Sequence, residues 1–422
     1  MKPTGLRTTF LLLAVACTQV VAAQEKSATL AVDGRTSANP SIAAEGRFVA
    51  VAWSAATVSV TDIYSAVSRD GGVTFSSPVR VNSVPGEARV NGELPPRVVL
   101  VPRKASGPDI VVVWTAKAGT ATRILSARSK DGGRTFGTST PVPGSEGEGS
   151  RGWQSVAVGP AGQVDVLWLD HRDAMTAGAM HHQDSATGAP KPPTPKADPT
   201  ERAGLSKLYF STLDGSKATQ ITRSVCYCCK TSLAASGSNV FAVWRHVYPG
   251  SQRDIAFAVS RDAGRTFSDP VRVSDDHWAI DGCPENGPAI AVDVTGHAHV
   301  VWPTPPDGKD AAALALFYSM SRDGRSFTPR TQIPSRGPAA HAQVVIGKDG
   351  LPLVAWDEVV AGTRRIAMAR VKTDAKGKVS FIAVPTSDAP GRWYPVLATT
   401  GGGPVAAWVQ QAPSVIGVGA IK

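Results

Sequence analysis

The chain is 422 residues long and carries 44 Lys and Arg against 34 Asp and Glu, a formal net charge of +10. Its basic residues are scattered, with no Arg/Lys block and no interleaved aromatics. This excludes a nucleic-acid groove and leaves the charge to solubility and to tolerance of acidic ligands. Only 18% of residues are charged, Gly numbers 41 and Pro 32, and Val and Ala recur in short runs, a composition of many short strands joined by turns.

The first element, "MKPTGLRTTFLLLAVACTQVVAA", has a basic start at Lys2 and Arg7, an apolar run and small residues at its end. That is the layout of a secretory signal peptide over residues 1–23, too short and wrongly flanked for a membrane anchor. Lipoprotein processing at Cys17 is the alternative, but "AVAC" lacks the usual Leu three residues before the cysteine. No later apolar run approaches the roughly eighteen residues of a membrane span. The expectation is a secreted or periplasmic protein, residues 24–422 forming a single domain that keeps four cysteines in an oxidising compartment.

From there a segment ending in tryptophan recurs, as "GRFVAVAW", "DIVVVW", "GQVDVLW", "SNVFAVW", "GHAHVVW", "LPLVAW" and "GPVAAW". The tryptophans are Trp53, Trp114, Trp168, Trp244, Trp302, Trp356 and Trp408, spaced by 52 to 76 residues. Each segment follows another short strand ("NPSIAAE", "PPRVVLV", "GPAIAVD"), and most precede a third ("IYSAVS", "DIAFAVS") and a fourth ("PVRVN", "PVRVS"). Four strands per unit at this period read as the blade of an all-β propeller, with seven blades and six as the alternative count. The seventh unit stops after its third strand, and "SATLAVD" at the start of the mature chain can supply the fourth, closing the ring. The tryptophans are expected to pack between neighbouring blades.

Between third and fourth strands stands a second motif: "SRDGGVTF" from Ser68, "SKDGGRTF" from Ser129, "SRDAGRTF" from Ser260 and, one residue short, "SRDGRSF" from Ser321. Ser and Asp suit a tight turn because their side chains bond its backbone, Gly supplies positive φ, and Phe plugs the sheet. The motif resembles the Asp-box, or BNR, repeat of the sialidase-like propellers. The resemblance covers most of the mature chain and places these turns on the face away from the working site. It implies three arginines that hold a sugar carboxylate through bidentate forks, a Tyr/Glu nucleophile pair and an Asp acid/base. Arg97, Arg172, Arg245, Arg253 and Arg392 are the arginines available, Tyr394 with Glu285 the pair, and Asp170 or Asp173 the acid. In the first blade "NPSIAAEGR" stands where the resemblance calls for an Arg-Ile-Pro element.

In a propeller the loops into the innermost strands share a face with the loops that follow the second strands. The insertion at about 169–204 lies there, with Asp170, His171, Arg172, Asp173, Met180, His181 and His182 ahead of a Pro/Ala/Lys-rich stretch. So do "RSVCYCCKTS", "RHVYPGSQRD" and "SDDHWAIDGCPENGP", which bring Cys226, Cys228, Cys229, Cys283, His277, Trp278 and Arg253 to one face over blades three to five. Trp153 falls on the same face. Cys283 pairing with one of Cys226, Cys228 or Cys229 would staple the loops into blades four and five. The alternative is a copper or zinc site, with Cys226, Cys228, Cys229, Cys283, His171 and His277 as ligands. The leading functional expectation is a glycan or other small anionic ligand bound by Arg97, Arg172, Arg245 and Arg253 with Trp153, Trp278 and Tyr394 as stacking surfaces, and no cofactor required. An exo-sialidase-type glycoside hydrolase using Asp170, Glu285 and Tyr394 comes second, a periplasmic metal-binding protein third, and a protein-interaction scaffold fourth.

Overall fold

The second strand of each repeat is apolar on both sides, and the fold explains why: it is sandwiched between neighbouring blades. Phe48–Ala56 is buried along almost its whole length, as are Val164–Asp170 and Ala298–Thr304. In the computed structural model, which describes residues 27–104, 107–176, 199–280, 282–310 and 312–421, the chain forms seven four-stranded antiparallel sheets. The expected signal segment 1–23 lies outside the described residues.

The first blade runs Thr36–Glu45, Phe48–Ala56, Thr61–Ser68 and Val79–Arg80, and five of the other six repeat this order outward from the centre. The seventh consists of Arg392–Thr400, Gly403–Gln410 and Val415–Ala420, completed by Ser27–Leu30, with Ser27 opposite Gly419. Both chain ends therefore share one sheet, and this pairing closes the ring between the last blade and the first. The innermost strands pack on one another around the ring.

Each repeat tryptophan belongs to a different apolar cluster, and each cluster lies between two blades. Trp114 packs with Ala50, Ile63 and Val98 between blades one and two; Trp53 packs with Val405, Ala407 and Val418 between blades seven and one. The other five follow suit. Removing one such indole leaves a cavity that neighbouring β-sheets cannot close, a loss of about 3–5 kcal/mol. Four indoles find an acceptor nearby: Trp168 donates to Asp170, Trp244 to His246 and Trp356 to Glu358, each two residues on, and Trp302 to Asp276.

The Ser-x-Asp turns are self-contained. Ser68 Oγ accepts the amide of Gly72, Asp70 accepts the amides of Val73 and Thr74, and the Thr74 hydroxyl donates to Asp70 at 2.6 Å. Gly71 and Gly72 hold φ of 87° and 95°, which the turn requires. In the shorter copy Asp323 accepts from Arg325 and Ser326 instead, one residue nearer, so the turn survives the deletion. Phe75, Phe136, Phe267 and Phe327 each pack against an inter-blade cluster.

Candidate functional site

Four blades begin their innermost strand with the same irregularity. The pairing slips by one residue between Ala38 and Ser41, Gly152 and Ser155, Ala340 and Gln343, and Trp393 and Val396. Inside each bulge one residue is left-handed: Asn39, Trp153, His341 and Tyr394, at φ of 49° to 55°. Asn tolerates that conformation, but Trp, His and Tyr adopt it at a cost, and such bulges re-aim side chains. Three of them sit on the rim opposite the Ser-x-Asp turns with large rings turned by the backbone rather than by rotamer choice.

The Tyr394 and His341 rings lie against each other, tilted by 37°, with centres 3.9 Å apart. Asp357, fully buried, fixes both, accepting from His341 Nδ1 at 2.7 Å and from the Tyr394 amide at 2.9 Å, and it is paired with Arg364. The Tyr394 phenol lies over Gly92, where a Cβ would stand 2.2 Å from the hydroxyl oxygen. Burial, then the charges of Glu93 and Asp357, push this phenol up to about 12. Glu93 is 4% exposed and accepts the amides of Lys230 and Gly287, tying blades two, four and five together. Lys230 Nζ donates to the carbonyl of Ala342.

Arg97 lines the same central cavity with Asn39, Lys230, His341 and Tyr394. Its Nε donates to the carbonyl of Gln154, and its terminal nitrogens have no protein acceptor among the described residues. Burial lowers it to about 10, so it stays charged at neutral pH. The cavity measures about 20 Å³, room for one water molecule. Glu285 lies close enough to act on the Tyr394 phenol electrostatically and is exposed, itself left-handed at φ 48°.

The other arginines are placed differently. Arg245 is 1% exposed, lies over the Trp278 ring and donates four hydrogen bonds to the carbonyls of Asn286, Arg253 and Pro303. Arg253 is fully buried, donating to Ile280 and to the sulfur of Cys226. Trp278 is 1% exposed and offers no stacking face. Arg172 forks onto Asp170 at 2.6 and 2.8 Å, with Arg151 behind at 3.5 Å. Burial works against the Asp170 charge, but Arg172 and Arg151 outweigh it and hold this carboxyl below its usual range. A general acid needs the opposite shift. Asp173 pairs with Lys207, and Arg392 lies over Trp408 while donating to Gln410. Arg151 was not singled out from sequence. The carbonyls of Glu146, Gly147, Glu148 and Gly149 converge on it, so "GSEGEGSRG" is a cradle for a buried cation, and its glycine run is the signal that could have revealed it.

Cys228 is bonded to Cys283, which joins the loops into blades four and five. Cys226 and Cys229 remain thiols, both buried, their sulfurs 3.7 Å apart, and Cys226 is 3.8 Å from Cys228. The hydrogen bond from Cys229, with Arg253 and Arg245 nearby, lowers the Cys226 thiol despite its burial; burial and the Cys226 charge raise Cys229. His171 lies near Ser206 and against the edge of Trp153, and exposed His277 faces Gln252. The only group of three metal-ligating side chains among the described residues is Cys226, Cys228 and Cys229, without a histidine. Met180, His181 and His182 lie outside the described residues.

Compared by sequence, the chain matches no family model and no curated protein. Among solved structures, a variant of the α-L-arabinofuranosidase of Fusarium graminearum in complex with an iminosugar inhibitor aligns over 94% of this chain and 97% of its own, with a TM-score of 0.52 and 14% identity. A protein of unknown function from Dyadobacter fermentans aligns over 94% and 98%, with a TM-score of 0.49 and 13% identity. A sialidase of Streptococcus pneumoniae aligns over 91% and 68%, with a TM-score of 0.45 and 11% identity. At such identities the likeness is one of fold alone, that of the seven-bladed propeller described above.

Proposed function

We propose that this is an exported sugar-binding propeller whose ligand seats on the central mouth formed by Arg97, Lys230, His341 and Tyr394. The observation that carries the reading is Arg97: a cation on the ring axis whose terminal nitrogens have no protein acceptor among the described residues, beside a strained Tyr394 locked in place by Asp357. A guanidinium so placed matches a carboxylate or a pair of sugar hydroxyls, and an aromatic ring beside it supplies the apolar face that pyranose rings pack against. The narrow cavity favours recognition of one projecting group, with the rest of the ligand on the rim. The sugars named for the structural neighbours support the ligand class, and the disulfide supports export.

Binding is favoured over hydrolysis by the state of the proton carriers. The acid such a reaction needs must be free to hold a proton. Asp170 is tied to two arginines. Calorimetric titration with acidic and neutral oligosaccharides tests the proposal: Arg97→Ala should weaken binding by roughly tenfold to a hundredfold, the loss of about 1.5–3 kcal/mol for a charge-assisted contact. Unchanged binding in a folded Arg97→Ala protein would reject it. Turnover of a reporter sialoside or arabinoside, abolished by Tyr394→Phe, would put the hydrolase reading in its place.

A further inference from the structure

Two fully buried guanidinium groups, Arg245 and Arg253, flank the cysteine cluster, and neither has a carboxylate partner among the described residues. Arg253 Nη1 lies 3.2 Å from Cys226 Sγ, and its Nη2 is buried with no acceptor among the described residues. Burying unpaired cations is costly, so a counter-charge is expected at the group they face. For Arg253 that group is sulfur, and Arg245, whose donors all reach carbonyls, adjoins the same loop, its own carbonyl accepting the Cys226 amide. The sulfurs of Cys226, Cys228 and Cys229 all lie within 4.8 Å of one another, and Cys283 Sγ is attached to Cys228. Glu93 on the same rim is taken up by the amides of Lys230 and Gly287.

The spacing has a second meaning. Four thiolates held tetrahedrally at bonds of about 2.3 Å stand about 3.8 Å apart. The observed separations are 3.7 Å for Cys226 and Cys229 and 3.8 Å for Cys226 and Cys228. We propose that the reduced chain binds one divalent thiophilic cation, such as zinc, through Cys226, Cys228, Cys229 and Cys283, with Arg245 and Arg253 neutralising the complex. A divalent ion with four thiolates carries two negative charges, and two guanidinium groups balance them. A monovalent ion would leave one negative charge over. Soft sulfur ligands alone, with no carboxylate or histidine in the group, select this class of metal.

Disulfide and metal site are then exclusive states of the same four residues. A dithiol reductant donates two electrons and two protons to the Cys228–Cys283 bond, becoming a disulfide itself. The thiols then release their protons as the sulfurs bind the ion. Either state ties the loop into blade four to the loop into blade five.

The test uses the full exported chain, reduced with a dithiol, freed of reductant without oxygen and titrated with zinc and, for its thiolate charge-transfer absorption, with cobalt(II). One ion per chain by native mass is expected, with affinity falling more than about tenfold in Cys226→Ser and Cys229→Ser. Cys283→Ser removes an exposed residue and serves where the buried changes unfold the protein; it should lose the same affinity and the cobalt band. Arg253→Gln should weaken binding while leaving the cobalt spectrum unchanged. A reduced, folded chain that retains no ion overturns the proposal. So does binding that survives all three serine changes.

Discussion

The two rims of the ring are built from the same blade and treat charge in opposite ways. On the rim of the Ser-x-Asp turns each carboxylate is half-buried or exposed and finds its partners within four residues, as Asp70 does with Ser68, Val73 and Thr74. On the other rim charged groups are buried and are satisfied from far along the chain. Glu93 accepts amides 137 and 194 residues away, and Arg245 reaches 58 residues to Pro303. A turn of the first kind forms wherever its eight residues occur. A site of the second kind exists only once the ring has closed, and its energy depends on low-dielectric surroundings that the closed ring creates.

The contrast predicts a ranking of substitutions. Arg245→Met should be the most damaging, because three buried carbonyls lose their donor at about 1–3 kcal/mol each; denaturant unfolding should register a loss of several kcal/mol. A loss near zero would mean that the buried rim is no more cooperative than the turns. Asp165→Asn should act next, in the opposite direction. Burial raises this carboxyl to about 7, offset in part by Gln163. Between the ordinary value of 3.8 and about 7 the folded chain holds a proton that the unfolded chain has lost, so stability falls as pH rises through that window. An amide in place of the acid should flatten that slope, which unfolding measured at the two ends of the window would reveal. Gly92→Ala follows: a methyl group 2.2 Å from the Tyr394 oxygen must displace the ring, with about 1–3 kcal/mol lost and ligand affinity reduced. Retained affinity would remove Tyr394 from the proposed mouth. Smallest is Asp262→Asn on the turn rim. Its lowered carboxyl, held at about 2 chiefly by the Thr266 hydroxyl, stabilises the fold above 3.8, and that contribution disappears as pH falls towards 2. Solvent screens it, so acid unfolding of the variant should differ only slightly from the parent.

Much of the architecture was legible because it is local and repeated. Seven Trp-terminated strands and four Ser-x-Asp turns specify blade, turn and blade count, and the unpaired last unit pointed to Ser27–Leu30 as the closing strand. The rim opposite was legible only in outline. The loops that hold the four cysteines were expected on one face, but three cysteines in four residues gave no reason to choose Cys228 as the partner of Cys283. That choice depends on how two loops approach in space. Arg97, Arg245 and Arg253 look alike in sequence. Only their surroundings separate a guanidinium lining the central cavity from two enclosed by carbonyls and sulfur.

What the sequence by itself determined, then, is the repeating unit, since strand periodicity, turn chemistry and the apolar second strand act within about sixty residues. The tertiary structure alone decided which charges are buried, which rings the left-handed bulges at Trp153, His341 and Tyr394 re-aim, and which sulfurs meet. Those outcomes follow from desolvation and from contacts between blades, and neither exists until distant segments are brought together by ring closure.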